Sequence, residues 1–310
     1  MKNHRVQRKN MINISKIIKD DRTCKALTGQ SVESFNLLLP QFEHALISSK
    51  SQNKNRKRAI GGGRKGRIPT VTDKLLFILI YLKVYPTFDL FGILTNRSRS
   101  KCCESVKALL PILEIALGRS CVLQKRKIKS LSNFFSSFGN IKDIFIDGVE
   151  RPVQRPKNST KQKKLYSGKK KTHTRKNILV CDENKKILLL SPTKSGRRHD
   201  KKLLDKSDFV RHISSNTCIW VDTGFKGIEE NHANVEIPTK RTKTRPLSIE
   251  QKEENKIISS FRVRVEHAIG GSKRYAACRD IYRNKSINMD DKFHLLSAGL
   301  WNLHLQNSQI

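Results

Sequence analysis

Four short, continuously apolar runs constrain the fold of this chain more than any other feature. They occupy residues 144–146, 178–181, 187–190 and 218–221, and the polar residues 182–184 between the second and third indicate a hairpin turn. A strand that is apolar at every position is buried on both faces. Such strands, mixed with helical patterns, predict the α/β class, with a mixed sheet flanked by helices.

The segments before residue 140 predict a helical N-terminal region. Helical spacing extends over 31–49, where Pro40 is expected to break or kink the helix. A strongly apolar helix is predicted over 72–83 with Thr72 as its N-cap. The segment 50–67 is basic and contains three consecutive glycines, which is typical of a flexible arm that follows phosphates and equally of a solvated linker.

A helix-turn-helix order follows the apolar helix. A short helix opens at Pro86-Thr87 and reaches about residue 94, a polar turn spans 95–98, and a basic helix covers about 99–110, ahead of Pro111. The cations at this turn and helix start are the predicted DNA contacts Arg97, Arg99 and Lys101. The same pattern also fits an ordinary three-helix bundle.

The charge balance predicts a polyanionic partner. The 63 Lys and Arg residues against 27 Asp and Glu residues give a net charge of +36. The longest apolar run, 75–82, is too short to cross a bilayer, which leaves nucleic acid rather than a membrane. The N-terminus lacks a secretory pattern and the seven cysteines are scattered, so we expect an intracellular protein of the cytoplasm or nucleoid, or of the nucleus in a eukaryote.

Two apolar runs end in an aspartate followed closely by glycine. Residues 144–146 precede Asp147-Gly148, and 219–221 precede Asp222-Thr223-Gly224. The end of a buried strand can hold a carboxylate rigidly and still expose it, and glycine leaves room for a ligand. Two such ends side by side would share a hard cation. An aspartate before glycine is also a common turn residue.

A third carboxylate lies on a long helix predicted over 248–273, with Ser248 as N-cap and Gln251 as capping-box partner. Its apolar stripe consists of Ile258, Phe261, Val265 and Ile269. An adjacent line carries Arg262, Glu266 and Lys273. Glu266 would therefore emerge at the edge of the buried face between cations that suit DNA phosphates, although a helical ion pair with Arg262 explains it as well.

Three carboxylates suit phosphodiester chemistry. Two divalent cations roughly 3.5–4 Å apart activate a water and stabilise the departing oxygen in an in-line displacement. On this interpretation Asp147 bridges two Mg²⁺ or Mn²⁺ ions, and Asp222 and Glu266 each complete one of them.

Five stretches together resemble the Harbinger-like branch of insertion-sequence DDE transposases. They are Ile146-Asp147-Gly148-Val149-Glu150-Arg151-Pro152-Val153-Gln154-Arg155-Pro156, Tyr166-Ser167-Gly168-Lys169-Lys170-Lys171-Thr172-His173-Thr174, Arg198-His199-Asp200, Asp222-Thr223-Gly224-Phe225-Lys226-Gly227 and Arg264-Val265-Glu266-His267-Ala268-Ile269-Gly270. The resemblance extends over about residues 63–303. It implies an RNase H-like catalytic fold, a helical DNA-binding region before it, and Asp147, Asp222 and Glu266 as the catalytic residues.

Further site residues are predicted around this triad. Lys169, Lys170 and Lys171 are expected to face DNA, or to protect a solvated sheet edge. His199 and Asp200 are expected to support the metal site or to cap a short helix over 199–206.

The predicted organisation has four parts. These are an N-terminal helical segment (1–49), a basic linker (50–67), a helix-turn-helix-type domain (68–135) and an RNase H-like catalytic domain (136–310). The predicted function is cut-and-paste transposition of double-stranded DNA by a homodimer or larger homo-oligomer. The rivals are a domesticated DNA-binding protein that does not cleave, an RNase H-like nuclease without strand transfer, and an RNA-binding protein, against which the 6% aromatic content argues.

Overall fold

The computed structural model describes residues 17–51, 66–242, 244–284, 286 and 288–308. Most of the predicted basic linker, and the first sixteen residues of the predicted N-terminal segment, lie outside these ranges. The described residues form two compact units. The first extends to Val122 and includes Tyr275–Ala277 and the end of the chain from Gln306; the second comprises Leu123–Arg274 and Cys278–Leu305.

The first unit is built from helices. They are α1 (Asp21–Thr28), α2 (Val32–Ser51), α3 (Val71–Val84), α4 (Phe88–Thr95) and α5 (Arg99–Arg119). Helix α3 buries its whole apolar run from Leu75 to Leu82, and α2 packs against both α3 and α5. The first unit therefore forms its own hydrophobic core from the predicted apolar segments.

Three details of these helices correct the sequence predictions. Helix α3 starts earlier than expected, with its N-cap two residues before the predicted one, because Thr70 and Asp73 form a capping box and Thr72 lies inside the helix. Helices α2 and α5 continue through Pro40 and Pro111. A proline removes one backbone hydrogen bond, and in α5 the buried side chains of Leu110, Ile112 and Leu113 on either side of it keep the helix in the core.

The second unit is a mixed sheet flanked by helices. Its strands are β1 (Asp143–Pro152), β2 (Tyr166–Ser167), β3 (Thr172–Asp182), β4 (Ile187–Leu190), β5 (Lys194–Ser195), β6 (Cys218–Trp220) and β7 (Val235–Glu236). Its helices are α6 (Leu131–Phe138), α7 (Ser159–Leu165), α8 (Asp200–Asp205), α9 (Ile249–Lys273), α10 (Ala276–Arg279) and α11 (Met289–Gln306), of which α10 is shared with the first unit.

Strand β1 lies at the centre of the sheet order β2-β3-β1-β6-β7. It pairs antiparallel with β3 and parallel with β6, and β4 forms the predicted hairpin with β3. Helices α6 and α8 cover one face of the sheet through Phe134, Leu203 and Leu204. Helices α9 and α11 cover the other through Val265, Ala268 and Ala298. The predicted α/β class, with an RNase H-like mixed sheet and an all-helical N-terminal region, is confirmed.

One further prediction about an element is confirmed. Helix α9 begins after Ser248 and has the expected capping box with Gln251. No helix in the described part of the chain is long and apolar enough to span a membrane.

Candidate active site

Two aspartates meet on adjacent parallel strands at the centre of the sheet. The pairing of β1 with β6 places Phe145 opposite Trp220. The same register, continued by two residues, places Asp147 opposite Asp222. Asp222 lies two residues after the end of β6, where its Oδ1 accepts a hydrogen bond from the Gly224 N–H at 2.8 Å. We call Asp147 and Asp222 the acidic pair.

The expectation that a strand ends at Asp147 is wrong. Strand β1 continues to Pro152, because β3 pairs with it along the whole segment from Ile144 to Pro152. Asp147 is nevertheless 17% exposed. It reaches solvent because the neighbouring strand β6 ends at Trp220, which leaves that side of β1 open beyond this point.

Strand alternation directs the side chain of Asp147 towards α9. Successive side chains of a strand point to opposite faces, so Asp147 shares a face with Phe145 and Val149. Both of these residues belong to the core cluster that packs under α9. Gly148 faces the other way, where a β-carbon would come within 2.4 Å of Asp200 Oδ1.

Aromatic packing fixes α9 across the strands of the acidic pair. The ring of Phe261 stacks on Trp220 of β6, with 4.5 Å between the ring centroids. One residue further along α9, Arg262 approaches the acidic pair, and its Nη2 lies 3.6 Å from Oδ2 of Asp147. The sheet and α9 together therefore place a buried cation beside a buried carboxylate.

Further cations surround the acidic pair. Lys169, in the turn between β2 and β3, places its Nζ 3.8 Å from Asp222 Oδ2. Burial lowers the pKa of Lys273, and the nearby charge of Lys170 lowers it further. Lys171 lies exposed in the same turn, with a positive φ of 51°. Of the predicted DNA contacts, Arg262 and Lys169 thus pair with the acidic pair, Lys273 is influenced by the charge of Asp147, and Lys170 lies near Lys273.

Burial and like charge act together on Asp147. Burial raises the pKa of its carboxyl group, the negative charge of Asp222 raises it further, and the pKa reaches about 6. Arg262, the Gly148 N–H and Lys169 oppose this rise but do not cancel it. A carboxylate in this position is short of positive charge, which is the electrostatic condition for holding an additional cation.

The third predicted carboxylate is not in contact with the pair. Glu266 lies on α9 one turn after Arg262, and its side chain is exposed. Among the described residues, no three His, Cys, Asp or Glu side chains are close enough together to hold a metal ion. The acidic pair fits a hard divalent cation by its oxygen donors and its unbalanced charge. Arg262, one turn before Glu266 on α9, is the residue that pairs with Asp147.

Asp200 lies behind the acidic pair, on the opposite face of the sheet. Its Oδ1 is 3.0 Å from Nζ of Lys176, which is also 3.1 Å from Oε1 of Glu150. Burial disfavours the charge of Lys176, but Asp200 and Glu150 outweigh it, and the pKa of Lys176 is raised. His199 instead lies exposed at the N-cap position of α8, and its side chain makes no capping hydrogen bond.

A buried ion-pair cluster consists of Glu150, Lys176 and Asp200. Of these three residues, only Asp200 was predicted to belong to the site. Glu150 and Lys176 are direct partners across β1 and β3. Both residues lie outside the predicted strand runs 144–146 and 178–181, so those runs contained no signal for this pairing. Charges are rarely buried unless they are paired. This cluster supports the segment of β1 that carries Asp147 and Gly148.

The predicted DNA contacts of the helical unit differ in exposure. Arg99 and Lys101, at the start of α5, have side chains that are 72% and 63% exposed. Arg97 instead packs its guanidinium over the ring of Phe77, 5.5 Å from the centroid. Asn96 is the C-cap of α4 and Ser98 the N-cap of α5, so the turn covers 96–98 and starts one residue later than the predicted 95–98.

A comparison with known families places this geometry in context. The family described as DDE superfamily endonuclease matches residues 146–302, just over half of the 310 residues. The chain belongs to this endonuclease family. A probable transposase for insertion sequence element IS702 from Microchaete diplosiphon is 29% identical to this DDE endonuclease over 284 residues, which cover 92% of the chain and 95% of the relative. No solved structure matches the DDE endonuclease significantly. The matched segment contains the acidic pair, Glu266 and the surrounding cations.

Proposed function

We propose that the protein is a DNA transposase of the Harbinger-like branch. It binds the terminal inverted repeats of its element, cleaves the ends by metal-dependent phosphodiester hydrolysis and joins the freed 3′-hydroxyl groups to target DNA. The observation that carries this proposal is the acidic pair, which lies on adjacent parallel strands of a DDE endonuclease with cations on two sides. The 29% identity to a probable transposase along almost the whole chain supports it.

The acidic pair would hold the catalytic metal, with Glu266 as a further ligand. All three side chains offer carboxylate oxygens, which Mg²⁺ and Mn²⁺ prefer. Two such cations, when bound, supply the Lewis acidity that activates the attacking oxygen and stabilises the leaving oxygen. Asp147 faces α9, the helix that carries Glu266, so a small adjustment of the side chains on α9 would bring the third carboxylate in.

The surrounding cations would hold the DNA backbone. Arg262 and Lys169 form ion pairs with the acidic pair, Lys273 lies close enough to Asp147 to be influenced by its charge, and Lys170 lies near Lys273. A phosphodiester approaching two carboxylates needs such compensation, because like charges repel strongly in a partly buried site. Arg262 is able to donate several hydrogen bonds in a plane, which suits a phosphate.

The helical unit and the assembly complete the proposal. Arg99 and Lys101 would contact the terminal repeats from the start of α5, in the manner of a recognition helix. Two transposon ends must be paired for excision, so we propose a homodimer or larger homo-oligomer, acting on double-stranded DNA inside the cell.

An assay of DNA cleavage and joining tests this function directly. The substrate is a duplex that carries one end of the element and its flanking DNA, incubated with Mg²⁺ and a target plasmid. Wild-type protein should cut at the end and yield joined products, and Asp147→Ala should give neither. Asp205→Ala, which removes a surface carboxylate paired with Lys201, is the matched control and should retain activity.

The same assay separates the rival functions. Cutting without joined products would indicate a nuclease without strand transfer. Binding of the end without any cutting by wild type would indicate a domesticated DNA-binding protein. Undiminished cutting by Asp147→Ala would refute the assignment of the site.

A further inference from the structure

An open groove lies on the catalytic unit, next to the turn that carries Lys169. It has a volume of about 650 Å³. The side chains and backbone that line it come from the segments around α7, β2 and β5: Arg155, Gln162, Lys163, Tyr166, Gly168, His173 and Arg197. We call it the β2 groove. The function proposed above does not use it.

The β2 groove belongs to the most one-sidedly charged part of the catalytic unit. Residues 151–181 contain 11 Lys and Arg residues and no Asp or Glu. The groove itself is lined by Arg155, Lys163 and Arg197 and by no acidic residue. Arg155 and Arg197 are exposed, as is Lys163. A concave surface with several exposed cations and no counter-charge is suited to phosphate groups.

One wall of the groove is an exposed aromatic ring. Tyr166 is one of only five tyrosines in the chain. It is 45% exposed, which is unusual for a large aromatic residue. The ring is held in place, because Tyr166 pairs with His173 across β2 and β3 and their rings meet edge to face at 5.7 Å. The next residue, Ser167, is buried. Tyr166 therefore presents a fixed flat surface to solvent.

The groove is connected to the acidic pair by one short turn. Gly168 lines the groove, and Lys169, the next residue, lies 3.8 Å from Asp222. DNA bound at the acidic pair therefore extends into the groove within a few nucleotides.

We propose that the β2 groove binds an unpaired nucleotide of the DNA end, with its base stacked on Tyr166 and its phosphates held by Arg155, Lys163 and Arg197. Duplex DNA presents its phosphates outward and keeps its bases stacked inside, so a paired base cannot reach a ring in a groove. An unpaired base can reach it, and stacking on an aromatic side chain tolerates any base. The proposal specifies which form of DNA end the active site accepts as substrate, and it rests on the proposed function.

The test compares two DNA forms by fluorescence anisotropy in EDTA, which prevents cleavage. One probe is a blunt fluorescein-labelled hairpin duplex, and the other is the same hairpin with three unpaired thymidines, placed on either strand in turn. Wild-type protein should bind one overhang probe about 10-fold more tightly than the blunt probe, the scale of one or two stacked bases. Tyr166→Ala should reduce this ratio to about 1, and Tyr166→Phe should preserve it.

Two control variants show that the effect belongs to the ring. Phe135→Ala removes another exposed aromatic side chain, on α6, and should leave the ratio unchanged. Lys202→Ala removes an exposed cation on α8 that does not line the groove, and it should also leave the ratio unchanged.

The test distinguishes a failure of the groove proposal from a failure of the proposed function. Blunt-duplex binding with no preference for either overhang, or a preference that Tyr166→Ala leaves intact, overturns the groove proposal alone. Absence of binding to every probe overturns both. If Tyr166→Ala does not fold, judged by circular dichroism, Arg197→Ala replaces it, and unchanged overhang affinity in that variant counts against the proposal.

Discussion

At the residue scale, Asp147 lies in an environment that opposes its charge. Its neighbours include two cations, yet its pKa is raised to about 6 by burial and by Asp222. At neutral pH, ionisation of Asp147 is therefore less favourable in the folded protein than in the unfolded chain. Stability is gained as pH falls from about 6 towards 3.8 and is lost as pH rises through that window.

Replacing this carboxylate should stabilise the metal-free protein while destroying its activity. A rise in pKa from 3.8 to about 6 corresponds to about 3 kcal/mol at pH 7.5, so Asp147→Asn should raise the free energy of unfolding by about 1–3 kcal/mol. Part of the gain is lost because Arg262 loses its partner. The measurement is urea denaturation in EDTA at pH 7.5 and at pH 4.5, where the difference should shrink. A destabilised variant at pH 7.5 would contradict this account of the site.

A buried histidine should make the fold sensitive to acid. Burial, together with the charges of Arg151 and Lys273, lowers the pKa of His294 to about 3. The unfolded chain takes up this proton near pH 6.5 and the folded chain does not, so stability is lost as pH falls from about 6.5 to 3. The contribution is up to about 1.4 kcal/mol per pH unit.

The variant His294→Gln tests this contribution. Its free energy of unfolding should fall less steeply between pH 6 and pH 4 than that of the wild type, whatever its stability at neutral pH. Parallel pH profiles of the two proteins would show that His294 does not titrate as described.

At the scale of elements, prediction succeeded where the signal was local. The capping box of Ser248 and Gln251 fixed the start of α9, and the polar turn 182–184 identified the β3–β4 hairpin. It failed where distant pairing or packing decided the outcome. Nothing near Asp147 in the sequence shows that β3 continues to pair with β1 as far as Pro152. The neighbours of Pro111 likewise do not show that the core on both sides keeps α5 helical.

For the same reason, some residues of the site were predicted from the sequence and some of their contacts were not. Strand-like runs and the family resemblance identified the acidic pair, and helical spacing placed Glu266 and Arg262 on one line of α9. Spacing alone could not decide which of the two residues approaches Asp147, because that depends on the stacking of Phe261 on Trp220. The pairing of Glu150 with Lys176 depends on the register between β1 and β3, which sequence spacing alone does not show. Glu150 also accepts a hydrogen bond from Thr174, a residue 24 positions further along the chain.

Two adjacent glycines in α9 should respond to alanine in opposite directions. A β-carbon on Gly270 meets nothing within 4 Å, whereas one on Gly271 would lie 2.1 Å from the indole of Trp301. Gly270→Ala should therefore stabilise the protein by about 0.5–1 kcal/mol through helix propensity. Gly271→Ala should destabilise it by about 1–3 kcal/mol through overpacking. Thermal denaturation of both variants tests the position of α9 on α11, and equal effects of the two substitutions would contradict it.

At the scale of the whole molecule, charge should govern DNA affinity. A protein with a net charge of +36 is expected to release many counterions from DNA, so its affinity should fall steeply with salt. Replacing Lys169, Lys170 and Lys171 together by alanine should reduce the slope of log K against log [salt] by about 2–3 if each contacts a phosphate. Lys202→Ala with Lys206→Ala, on and just after α8, should change the slope less. Equal slopes for the triple variant and the wild type would remove this turn from the DNA interface.

The central claim is that the acidic pair holds the metal of a DDE endonuclease, and calorimetric titration with Mn²⁺ tests it most directly because it needs no DNA. The wild type should bind Mn²⁺, the double variant Asp147→Asn with Asp222→Asn should bind it at least about 10-fold more weakly, and Asp205→Asn should match the wild type. Glu266→Gln should weaken binding in part. Mn²⁺ binding by the double variant with the affinity and stoichiometry of the wild type would contradict the claim.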